Sequence, residues 1–91
     1  MTDIAVTCSA VDGGWSCVVR VTDDGTSTEH RVGVSAADLS RLDPRAADPV
    51  DLVRRSFVFL LEREPKESIL RTFELTVIGR YFPEWEGRVR R

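Results

Sequence analysis

The chain is poor in the residue types that catalysis and cofactor binding draw on. It has one histidine, two cysteines and, among thirteen basic residues, a single lysine, Lys66. One His and two Cys cannot close a structural zinc site, which takes four such ligands. No phosphate loop of the Walker or dinucleotide type is present, since Gly13, Gly14 and Gly25 all fall where turns are expected. The sequence therefore predicts no metal and no cofactor. The longest uninterrupted apolar run, Phe57 to Leu61, is too short to cross a bilayer, and Asp3 stands where an export signal would carry basic residues. No membrane association is expected, and a cytoplasmic location is the default. A net charge of −2 supplies no overall basic field to draw the chain to nucleic acid or anionic lipid.

What is present is architectural. Asp12-Gly13 and Asp24-Gly25 are hairpin signals, each flanked by Val- and Thr-rich runs that alternate apolar with polar. Asp-Gly suits a two-residue turn because both central residues are expected at positive φ. The result is a three-stranded antiparallel meander. Ile4, Val6, Cys8 and Ala10 share one face with Trp15, Cys17, Val19 and Val21, and then with His30, Val32 and Val34. A turn at Asp12-Gly13 places Cys8 opposite Cys17. A turn at Gly13-Gly14 would instead set Cys8 against Val19 and Ala10 against Cys17. With no export signal, reduced cysteines facing the core are the expectation, and a redox pair is the alternative.

Past Val34 the apolar period lengthens to that of a helix. Ser35 and Asp38 resemble a capping box opening a short helix that ends near Leu42, before Asp43-Pro44. Asp48, Pro49 and Asp51 then start the main helix, about Pro49 to Arg63, whose stripe of Val50, Val53, Phe57, Leu60 and Leu61 should cover the inner face of the sheet. Leu52 and Phe59 lie off that stripe, so a second neighbour from the C-terminal third is expected to cover them. Residues 72–82 are read as a helix ended by Pro83, although Phe73, Leu75 and Val77 also alternate like a strand. The fold class is α+β. It forms one domain over residues 1–91, with a sheet at about 3–34, two or three helices at about 35–86 on one face of it, and a basic tail, 87–91, expected to fray.

Nothing assembles into a catalytic constellation. His30 is the one group suited to proton transfer near neutral pH, and the register places Val19 across from it and no acid on its face. The chain is therefore read as a non-enzymatic interaction module, binding an unknown protein partner or a second copy of itself. The segment Tyr81, Phe82, Trp85 is the favoured contact, because it gathers three aromatics around Pro83, and Trp85 between two glutamates is expected to be the exposed one. The alternative is a nucleic-acid accessory protein that touches phosphates through Arg20 and Arg31 on the outer sheet face and Arg54 and Arg55 on the solvent side of the main helix.

Overall fold

The computed structural model describes residues 1–91. Three strands, β1 (Asp3–Val11), β2 (Gly14–Asp23) and β3 (Thr26–Ser35), form the antiparallel meander. The register pairs Cys8 with Cys17 and Val19 with His30, so the first turn is Asp12-Gly13 and the Gly13-Gly14 alternative is excluded. The two turns are not alike. Asp24 and Gly25 both have positive φ, at 52° and 76°, whereas at the first turn Gly13 alone does, at 77°. A turn that requires positive φ at its second central residue only is of type II, so Asp12 is not held in the left-handed region. Gly14 is fixed by proximity: a Cβ there would lie 2.1 Å from the carbonyl oxygen of Val34.

The sheet has a fourth strand, where the strand-like alternation beginning at Phe73 was the alternative to the expected helix. β4 (Thr72–Glu74) pairs parallel to β3, with Val32 beside Phe73, and makes the order β1-β2-β3-β4. The 72–82 segment is thus not one helix. It passes from β4 through a 3₁₀ turn at Leu75–Val77 into α3 (Ile78–Tyr81), with α1 (Ala36–Leu42), α2 (Val50–Leu61) and α4 (Trp85–Val89) completing the helical layer. Ser35 Oγ accepts from the Asp38 amide at 3.0 Å, as the capping pattern anticipates, and Asp48 Oδ1 accepts from the Val50 amide at 3.0 Å.

The helical layer covers one face of the sheet. Val19, Val21, Val32 and Val34 from the sheet, Leu52, Val53, Phe57, Phe59 and Leu60 from α2, and Trp85 and Val89 from α4 belong to one buried cluster. The second neighbour of α2 is therefore α4. The tail expected to fray is helical through Val89, and the Arg91 amide donates to the Leu42 carbonyl at 2.8 Å. Arg41 pairs with Glu86 and ties α1 to α4.

Cys8 and Cys17 are joined by a disulfide, not reduced as expected. Chain entropy for so short a loop gives about 2.5 kcal/mol, and the turn already holds the strands together, so about 2 kcal/mol is the expected contribution. Reduction should lower the melting midpoint by roughly 10 °C in a domain of this size. Thermal melts with and without a thiol reductant, with alkylation to count thiols, read this directly, and equal midpoints for bonded and reduced protein would refute it.

Candidate interaction cleft

The segment flagged for its aromatics divides at Pro83. Tyr81 and Phe82 lie on the surface side and Trp85 goes inside. The Trp85 ring is 1% exposed, and its Nε1 donates to Ser56 Oγ at 3.0 Å, which in turn donates to the Leu52 carbonyl at 2.8 Å. The exposed role assigned to Trp85 is thus corrected: Glu84 and Glu86 face water while the indole turns under α2.

Tyr81 and Phe82 instead border an open cleft of about 240 Å³. Its floor comes from Leu60 at the end of α2, Ile69 after the Lys66–Ser68 turn, Phe73 of β4 and Ile78 of α3. Leu70 and Tyr81 stand on its rim, 48% and 68% exposed. Phe82 makes an edge-on contact with Phe59, ring centroids 5.9 Å apart, and the Arg63 guanidinium lies 3.6 Å from the Phe59 ring centroid. The cleft therefore lies where the end of α2, the residues before β4, β4 itself and α3 meet.

Eight of the ten residues lining it are hydrophobic, so the two polar ones set its chemistry. Ser68 offers a hydroxyl. Glu64 is half-buried, and no ion pair of the protein includes it. A carboxylate beside an apolar cleft with no cation of its own presents uncompensated negative charge to whatever enters.

The four arginines are not brought together. Arg20 and Arg31 are exposed on the outer sheet face, opposite Glu29 and Val18 respectively, while Arg54 projects from the helical layer on the other side of the molecule. Arg55 is not on the solvent side. Its guanidinium is enclosed by Asp43 at 3.2 Å, by Asp51, and by the Val89 carbonyl at 2.9 Å, so it joins α1, α2 and α4. His30 is buried too, held by Thr28 and Leu70. No group of three or more His, Cys, Asp or Glu side chains is arranged to hold a metal ion. No helix is long and apolar enough to cross a membrane.

Leu60, Glu64, Ile69, Leu70 and Phe73 are site residues that pattern reading did not single out. The available signal was Pro65, which turns the chain back so that Ile69 and Leu70 return toward α2. Comparison with known proteins found no matching family model, curated protein or solved structure.

Proposed function

We propose that the chain is a small non-enzymatic interaction module that seats a short segment of a partner protein in this cleft. One apolar side chain of the segment fills the floor of Leu60, Ile69, Phe73 and Ile78, and a neighbouring basic group meets Glu64. The supporting observation is the unpaired Glu64 beside an open apolar floor with Leu70 and Tyr81 exposed on its rim. Apolar area supplies most of the affinity in such a site, and the charge fixes orientation and selects the ligand. A cytoplasmic setting belongs to the same proposal only if Cys8 and Cys17 cycle between thiol and disulfide, since a permanent bond is the state of an oxidising compartment.

The test uses a peptide array that varies one apolar and one adjacent residue, read with isotope-labelled protein by NMR. Peptides pairing an aromatic or aliphatic side chain with Arg or Lys are expected to bind and to shift the amides of Leu70, Tyr81 and Phe82. Glu64→Lys is expected to weaken them by about tenfold or more, as loss of a partly desolvated charge pair would. Leu70→Asp should do the same through the apolar term, and both substitutions sit at positions open enough to leave the fold intact. Binding indifferent to the peptide's charge and to Glu64→Lys, or shifts confined to the outer sheet face, would refute the reading.

A further inference from the structure

The first strand presents a second surface, unrelated to the cleft. Val11 and Gly14 flank a two-residue turn and so form a hydrogen-bonded pair. Bonded pairs alternate along an antiparallel ladder, so Asp3, Ala5, Thr7, Ser9 and Val11 direct their amide and carbonyl groups at β2. Ile4, Val6, Cys8 and Ala10 direct theirs outward. The Cys8–Cys17 Cα separation of 4.0 Å agrees with this phase, in which non-bonded pairs are the closer ones, at about 4.5 Å against about 5.5 Å. No side-chain or loop hydrogen bond of the protein reaches those four residues.

Strand edges of this length are ordinarily blocked by a charge, a proline, a bulge or a covering segment. The far edge of the sheet is managed in that way: β4 is only three residues long. From Ile4 to Val11, β1 has no charge, no proline and no glycine. We infer that β1 pairs antiparallel with β1 of a second copy about a two-fold axis through Thr7.

That register is self-complementary. It sets Ile4 against Ala10 and Val6 against Cys8 of the second copy, so all four outward residues of each chain find bonded partners. Thr7 meets Thr7 at the axis, a favourable cross-strand pair. Asp3, the one charge in the strand, lies opposite Val11 and not opposite another acid. On the inner face the half-buried row Ile4, Val6, Cys8, already packed at the margin of the core, continues into the same row of the second copy. A two-fold contact of one patch with itself is the commonest form of protein dimer.

Sedimentation equilibrium over a wide concentration range tests this with two variants. Val6→Pro removes an outward amide hydrogen and takes nothing from the β1–β2 ladder, where an edge proline is tolerated. Thr7→Lys leaves the ladder whole and sets two ammonium groups face to face at the axis. Wild-type protein is expected to show a reversible monomer–dimer equilibrium, with the dissociation constant raised about tenfold or more by each variant while circular dichroism is unchanged. Should Val6→Pro fail to fold, Thr7→Lys decides alone. A wild-type monomer at every attainable concentration overturns the proposal, as does a dimer that Thr7→Lys leaves undisturbed.

Discussion

Trp85→Ala is expected to lower stability by about 3–5 kcal/mol, the range for removing a large buried aromatic. Domains of this size have about 5–15 kcal/mol in total, so the variant should sit near the edge of folding. The loss has an identifiable anatomy. The indole fills the space between α2 and α3, close enough that a Cβ built on Gly79 would lie 3.4 Å from it. Without it, the Leu52, Ser56 and Phe59 side of α2 loses its cover, and α4 retains Val89 as its buried anchor. Ser56 keeps its bond to the Leu52 carbonyl, so the cost is mainly cavity and lost apolar contact, with little from an orphaned polar group. Trp85→Phe should retain most of the packing and cost about 1–2 kcal/mol. Tyr81→Ala, at an exposed position four residues earlier, should fall within about 0.5 kcal/mol of wild type. Urea denaturation of the three variants separates these cases, and near-equal effects for Trp85→Ala and Tyr81→Ala would show that α4 does not pack as described.

The meander was legible because hairpins are local. Two Asp-Gly turns fix which residues face one another, and a period of two then assigns every side chain to a face, down to Cys8 opposite Cys17. The helix starts were equally local, since Ser35 and Asp48 act on amides two or three residues away. β4 was legible only as a strand-like alternation that the helical spacing outweighed, for the opposite reason. A three-residue parallel strand is specified by its partner, Arg31 to Gly33, 41 positions earlier in the chain, and Phe73, Leu75 and Ile78 reach the core through three different backbone geometries in succession. No single period describes them. Trp85 was misjudged from its glutamate neighbours, although Trp85 and Val89 stand one helical turn apart and so share a face, which was the signal available. Arg55 was misjudged because a helix pattern shows which residues avoid the core but not that Asp43 and the Val89 carbonyl converge to enclose one of them. The cleft shares this limitation: Tyr81 and Phe82 were visible as aromatics, whereas its floor is assembled from four successive parts of the chain.

His30→Ala is expected to cost about 3 kcal/mol near neutral pH, and the wild-type protein should carry a pH dependence that the variant lacks. The ring is 0% exposed and packs against Phe57, centroids 5.3 Å apart. Its Nδ1 lies 2.8 Å from the Leu70 carbonyl, which can only accept, so Nδ1 holds the proton. Burial disfavours a charged ring, so near neutral pH the imidazole is neutral and Nε2 accepts from the Thr28 hydroxyl at 2.8 Å, leaving both nitrogens satisfied. Removing it leaves a cavity and deprives the part-buried Leu70 carbonyl of its donor, the cavity being the larger cost. Burial holds the His30 pKa below its ordinary 6.5; the bond to Leu70 opposes this and the positive charge of Arg71 adds to it. The sign follows from linkage. Above pH 6.5 neither folded nor unfolded chain binds a proton here, and the full contribution is present. As the pH falls below 6.5 the unfolded chain takes up the proton first, and stability is lost at up to about 1.4 kcal/mol per pH unit until the folded ring titrates. Urea midpoints between about pH 6.5 and about pH 5, above the range where carboxylates dominate, should therefore decline in wild type and stay nearly flat in His30→Ala. Parallel declines in the two proteins would mean that His30 is not the group responsible, and that its neutral, doubly bonded form is not what holds β3 to the Leu70 loop.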